Sequence, residues 1–122
     1  MADLLIENKS HPLPTAQKAV YCDSFFCRLR GLMFRSRLAS EEGLMLVEGR
    51  DSRVDSAIHM FFVFMDLAVI WINSENLVVD LVLARAWHPI YVPRAPARFI
   101  LEIPPARLSE YQIGDKVEFI RG

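Results

Sequence analysis

Arginine is the most chemically suggestive residue in this chain, with eleven copies against three lysines. Four of them, Arg28, Arg30, Arg35 and Arg37, fall within ten positions that hold no acidic residue. A planar guanidinium fork grips a carboxylate or phosphate through paired hydrogen bonds, so this run is a candidate site for an anionic ligand. On one continuous helix Arg28 and Arg35 would lie about two turns, roughly 10 Å, apart on one side. The alternative is structural: the same arginines can pair with Glu41, Glu42, Glu48, Asp51 and Asp55 and knit a helix to the loop that follows.

Asp66 and Asp80 each interrupt an apolar stretch, where a carboxylate is costly unless paired or hydrogen-bonded. Arg30 or Arg85 can supply the pair, or Asp66 can accept backbone amides at a strand start. A catalytic alternative joins Asp66 to His59 or Glu102 as a general acid/base pair. No nucleophile, base and orienting group fall into a recognisable pattern, so no catalytic residue is assigned and enzymatic activity stays open. Cys22, Cys27, His11, His59 and His88 lack the spacing of a structural zinc site, and no metal or cofactor is expected. The two cysteines are too few for a disulfide scaffold and are expected to be reduced in a cytoplasmic chain.

Two aromatic regions offer recognition surfaces. One is Phe61, Phe62 and Phe64; the other runs from Trp87 through Tyr91 to Pro93, stiffened by Pro89, Pro93 and Pro96. Trp87 and Tyr91 have the amphipathic character of interface residues, with Arg85, Arg94 and Arg98 as a positive rim. Their structural alternative is to seal one end of the core.

The elements that must hold these groups are mostly strands. Alternating or continuous apolar runs predict strands over Asp3–Asn8, Gln17–Tyr21, Gly43–Glu48, Leu67–Ile72, Leu77–Ala84, Arg98–Ile103 and Lys116–Ile120. Asn73 to Asn76 form a hairpin turn. Leu77–Ala84 is apolar on both faces and is expected to be central; Arg98–Ile103 and Lys116–Ile120 are expected to be half exposed. One helical period spans Ser24 to about Arg35, capped by Asp23 or Ser24, with Phe25, Leu29, Leu32 and Met33 as its apolar stripe and Gly31 inside it against a close neighbour. A second short helix can start at Pro105 and run to about Tyr111.

Bulk properties narrow the function. With 122 residues, 52% hydrophobic and 24% charged, the chain fits one globular domain over 1–122. A net charge of −1 speaks against general nucleic-acid binding. The most apolar stretch, Ala57 to Ile72, contains His59 and Asp66 and is too short to span a membrane. Asp3 and Glu7 stand where a signal peptide would be basic, so a cytoplasmic protein is expected.

Arg30, Gly31, Leu32, Met33, Phe34 and Arg35, then Gly43, His59, Met60, Asp66 and Leu67 to Asp80, together resemble the domain-of-unknown-function family 192. Leu101, Glu102 and Ile103 and the Ile113, Gly114, Asp115 turn are similar as well, so the resemblance extends over about Lys18 to Phe119. It implies a mainly β fold, a compact antiparallel β sandwich or partly open barrel with a helix carrying the Arg-Gly-Leu-Met segment. Many members carry a secretory or lipoprotein leader, and many have Trp-Met-Lys where His59, Met60 and Phe61 stand. The resemblance implies no activity.

These readings converge on a small binding module for an anionic or peptide-like ligand, with Arg28, Arg30, Arg35, His59, Asp66, Trp87 and Tyr91 as candidate ligand-binding residues. A protein-interaction or scaffold domain, and a small hydrolase-like enzyme using His59, Asp66 or Glu102, are the alternatives. The partner is then a small anionic ligand or another protein, and the particle a monomer or weak dimer.

Overall fold

The computed structural model describes residues 3–121. Its strands form where apolar residues alternate: β1 (Asp3–Asn8), β2 (Gln17–Cys22), β3 (Leu44–Ser52), β4 (Leu67–Ile72), β5 (Val78–Ala84), β6 (Ala97–Ile103) and β7 (Val117–Arg121). Helix α1 (Phe25–Arg30) follows β2, and a 3-10 helix (Pro105–Glu110) follows β6. The strands hydrogen-bond in the order β5-β4-β6-β3-β2-β1-β7. Neighbours run antiparallel except β2 and β3, which pair in parallel with Val20 opposite Leu44 and Cys22 opposite Leu46. The sheet curls until its two edges approach at one end, where Leu77 bridges Lys116 and Val117 N donates to Asn76 O at 2.9 Å. The result is a mainly β half-barrel, the partly open form of the expected fold.

Alternation along the strands builds two cores, because successive side chains leave opposite faces of a sheet. On one face Ile6, Met45, Ala68, Ile70, Leu101 and Ile103 pack under Tyr111 and Leu108. On the other, Leu46, Leu67, Val69, Trp71 and Ile100 pack under Leu32, Ile58, Met60 and Val63. β4 contributes to both and is buried along its whole length. Burying its six apolar residues supplies roughly 10 kcal/mol of gross hydrophobic stabilisation at about 1.5–3 kcal/mol per large side chain. Trp71 satisfies its indole by donating to Ser56 O at 2.8 Å, which ties the long β3–β4 loop to this second core.

Three expectations change. β5 is an edge strand, not a central one: it pairs with β4, whose other edge is taken by β6. Apolar side chains on both faces report covered faces, not covered edges. β6 is more buried than expected, since Ile100 and Glu102 lie beneath the loops over the second face. Helix α1 stops at Arg30, where Gly31 adopts φ 49° and its N–H donates to Cys27 O at 2.9 Å. A glycine able to adopt positive φ ends a helix readily, so Gly31 terminates the element it was expected to lie within. The intended stripe breaks with it: Phe25 and Leu29 are exposed, while Leu32 is buried beyond the helix end. Arg28 and Arg35 therefore do not share a helical face.

Gly43 is needed for close approach. A Cβ there would lie 2.8 Å from Lys18 O, at the point where β2 and β3 come together. Among the described residues, no helix is long and apolar enough to cross a membrane.

Candidate functional site

The second face of the sheet is incompletely covered, and the gap is a cleft of about 470 Å³. Its walls are α1 and the Gly31–Met33 turn on one side and Asp55 to Met60 on the other; its floor comes from Leu46, Ile100 and Glu102. Volume and apolar walls fall within the range of small-molecule sites.

Glu102 is the unusual group. β6 places it opposite Leu44 of β3 and Val69 of β4, on the apolar face, with only 4% of its surface exposed. No described residue donates a hydrogen bond to its carboxylate or pairs with it as a cation. Burial alone pushes its pKa up to about 7. Gly31 lies beside it, but a Cβ there would meet Glu102 Oε1 at 3.8 Å, an ordinary contact, so the positive φ of Gly31, and not close packing, calls for glycine.

Charged groups ring the mouth. Arg28 Nε pairs with Glu48 Oε2 at 3.3 Å, and its Nη1 donates to Asp23 O and, at 3.3 Å, to Val47 O. Burial raises the Glu48 pKa, Arg28 opposes that rise, and nearby Asp55 adds to it. Arg30 lines the cleft and has no ion pair or side-chain hydrogen bond among the described residues. His59 lines the opposite wall. Its Nδ1 accepts from Phe61 N at 3.2 Å, which leaves Nε2 as the ring's donor.

Arg28, Arg30 and His59 therefore converge on one cleft, and Glu102 joins them. The other candidates lie elsewhere. Arg35 pairs with Glu42 at 3.1 Å; the Ala39 amide and Arg35 together hold the Glu42 carboxyl below its ordinary range. Asp66 accepts from Ala86 N at 2.9 Å and pairs with Arg85 at 3.2 Å, while Asp80 accepts from Leu81 N and Arg94 N. Tyr91 stacks on His88, takes the Arg85 amide on its hydroxyl, and bridges Ile58 through its backbone, closing the second core. Trp87 stands in an exposed aromatic cluster. Glu102 was legible only as an acid/base partner; the missed signal is Ile100, which shares its side of β6 and marks that side as covered.

The cysteines are not reduced. Cys22, the last residue of β2, and Cys27 in α1 are joined by a disulfide with Cα atoms 5.7 Å apart. The chain turns from strand into helix within a sequence separation of 5, with Ser24 accepting the Cys27 amide as N-cap, and this brings the two together. The bond fastens to the sheet a helix that buries none of its own residues. Loop-closure entropy for so short a loop is worth about 2 kcal/mol. Reduction is expected to lower stability by about that amount and to loosen the cleft wall, as read by urea unfolding with and without a thiol reductant; equal midpoints would refute it.

Comparison with known proteins supplies the lineage. The family model of DUF192, described as "Uncharacterized ACR", matches residues 6–119. A UPF0127 protein of Pyrococcus abyssi is 32% identical over 118 residues, covering 95% of this chain and 97% of that protein. A UPF0127 protein of Thermococcus gammatolerans is 37% identical over 99 residues, covering 80% of this chain; the match spans only 63% of that relative's length. Among solved structures, a Sinorhizobium meliloti protein provisionally named a transcription regulator superimposes with a TM-score of 0.81 at 18% identity, over 97% of this chain and 92% of that one. A Novosphingobium aromaticivorans protein of unknown function gives 0.77 at 22%, over 95% and 83%. At these identities the structures speak for the fold alone.

Proposed function

The chain belongs to the DUF192 family, whose members have no characterised activity, and from that premise we propose that it is a binding module whose cleft takes a small anionic or peptide-like ligand. Arg30, with Arg28 beside it, receives the anionic group at the mouth. Glu102 receives an N–H or ammonium group at the floor, and His59 Nε2 offers a donor from the facing wall. The observation that carries this reading is the Glu102 carboxyl, 4% exposed, which opens onto the cleft without a protein partner, because a carboxylate so nearly buried is costly to leave unpaired. A ligand that donates to it would supply what the protein does not.

Native mass spectrometry of protein purified gently from its own cells tests this. The expected result is a non-protein mass released on denaturation, retained by Arg37→Ala and lost from Arg30→Ala and Glu102→Leu. Bare protein in every case overturns it. A proton-transfer role for Glu102 is the second reading, favoured by a carboxyl that titrates near neutrality inside a cleft. Turnover of the released ligand by wild type but not by Glu102→Gln would select it.

A net charge of −1 supports a role without general nucleic-acid binding, and the provisional name of the Sinorhizobium neighbour adds nothing against that. Cytoplasmic action is the sequence-based expectation, whereas the Cys22–Cys27 bond suits oxidising surroundings; thiol trapping after cell fractionation decides between them. The unit is taken to act as a single domain, a monomer or weak dimer.

A further inference from the structure

Four exposed aromatic rings, none of them part of the cleft lining, form a chain on the surface. Phe34 and Phe62 have centroids 5.5 Å apart, Phe62 and Trp87 4.9 Å, and Phe64 and Trp87 5.7 Å. Each is 44–64% exposed. Three of them, Phe34, Phe62 and Trp87, also hold positive φ angles of 60–66°. A bulky side chain pays for that conformation in strain, and exposing a large ring forgoes its burial. The rings are held in place by backbone bonds between three loops: Phe34 N to Phe62 O at 2.6 Å, Phe64 N to Arg35 O at 3.0 Å and Trp87 N to Met60 O at 2.9 Å. Fold stability alone would favour Asn or Gly at the three positive-φ positions.

The unpaired charge beside the rings is positive. Residues 24–38 and 85–94 hold six arginines, of which Arg28, Arg35, Arg85 and Arg94 pair with Glu48, Glu42, Asp66 and Asp80. Arg30 and Arg37, which flank Phe34 along the chain, have no ionic partner among the described residues. A second copy of this face would set arginine against arginine, which disfavours self-association through it. Only one of the four rings, the Trp87 indole, brings a polar hydrogen-bonding group, whereas protein interfaces carry many such bonds. Phe and Trp beside Arg are the chemistry of a surface that enters the headgroup region of an anionic bilayer.

We propose that Phe34, Phe62, Phe64 and Trp87, with Arg30 and Arg37, form a peripheral docking surface for an anionic lipid membrane. The loops do not span the bilayer; the rings enter the interface while the arginines meet lipid phosphates.

Tryptophan fluorescence with vesicles tests this directly, because the chain has two tryptophans and Trp71 is already buried. The probes are phosphatidylglycerol/phosphatidylcholine vesicles and phosphatidylcholine vesicles alone. With the anionic vesicles in 50 mM salt, Trp87 emission is expected to shift to the blue and to be quenched by brominated acyl chains. Affinity should fall at least 10-fold in 500 mM salt, in Phe62→Asn, and in the Arg30→Ala, Arg37→Ala double variant. Phe62→Asn keeps both tryptophans and relieves a positive-φ phenylalanine, so a thermal unfolding midpoint at or near the wild-type value separates lost docking from lost folding. No response to anionic vesicles, equal binding to neutral vesicles, or unchanged binding by a folded Phe62→Asn each overturns the proposal. A Trp87 response to soluble polyglutamate without one to vesicles also overturns it, and would make the occupant an acidic polypeptide.

Discussion

Replacing Arg107 by alanine is expected to cost 3–5 kcal/mol, about the range measured when one member of a buried charged network is removed, and to lower Tm by roughly 10–20 °C. Arg107 lies in the 3-10 helix with 4% of its surface exposed. Its guanidinium donates to Ala16 O at 2.7 Å, Ser40 O at 3.0 Å and Thr15 O at 2.7 Å, and its Nε donates to Glu110 Oε1 at 2.9 Å. Removing it strands three carbonyls and a carboxylate at once. It also unfastens three stretches of chain: the turn before β2, the loop after α1, and the 3-10 helix. Arg107→Lys is expected to recover less than half of the loss, because one ammonium cannot reproduce the planar fork that reaches all four oxygens. Thermal and urea unfolding of both variants check this, and a loss below about 1 kcal/mol for the alanine would show the network to be incidental.

Arg107 also shows where sequence stops being informative. Pro105 marked the start of a short helix, and that element is present. Nothing local distinguishes Arg107 from the other ten arginines, however, because its partners are carbonyls some 67 to 92 residues away. The strands were legible for the opposite reason. A period of two is written into neighbouring residues, as in the Phe99, Leu101, Ile103 series, and Asn73 to Asn76 mark their hairpin locally. Which strands become neighbours was not legible. The parallel pairing of β2 with β3 depends on the path through α1 and Leu38, and the place of β5 at the edge depends on β6 claiming the far side of β4.

The site was legible in part, by similar logic. Arg28, Arg30 and His59 were chosen by residue type and do share the cleft. Arg35 was tied to Arg28 by helical spacing, and that argument failed at one backbone angle, the positive φ of Gly31. The structural alternative for the arginine run holds for two of its members, Arg28 with Glu48 and Arg35 with Glu42. Arg30 is left without a partner, which is why it carries the anion-binding proposal. The exposed ring cluster was visible as composition, but its positive φ angles depend on hydrogen bonds between loops far apart in sequence.

Between pH 4.5 and about 7 this protein is expected to lose stability as pH rises, and Glu102→Gln is expected to abolish most of that loss. The unfolded chain has an ordinary Glu102 carboxyl near 4.5, whereas burial in the fold pushes it up to about 7. In that window the native state binds more protons than the unfolded state, so unfolding free energy falls with increasing pH. Below about 4.5 the carboxyl is protonated in both states and contributes no penalty; above about 7 it is ionised in both and the full penalty applies. The spread between those values corresponds to roughly 3 kcal/mol at 1.36 kcal/mol per pH unit. Urea unfolding at pH 5 and pH 8 should therefore give a larger free energy at pH 5 for the wild type, apart from what other carboxyls contribute. Glu102→Gln keeps the shape, removes the titration and should be the more stable protein at pH 8 by about 2–3 kcal/mol, less whatever its amide loses by lacking partners. Equal wild-type and Gln profiles from pH 5 to pH 8 would mean that Glu102 ionises freely in the native state. A ligand that donates to the Glu102 carboxylate would supply the missing partner and reverse part of the alkaline loss, so wild type carrying its bound mass should lie closer to the Gln variant at pH 8 than stripped protein does. The carboxyl that lowers stability at alkaline pH is thus the one that the proposed ligand would engage.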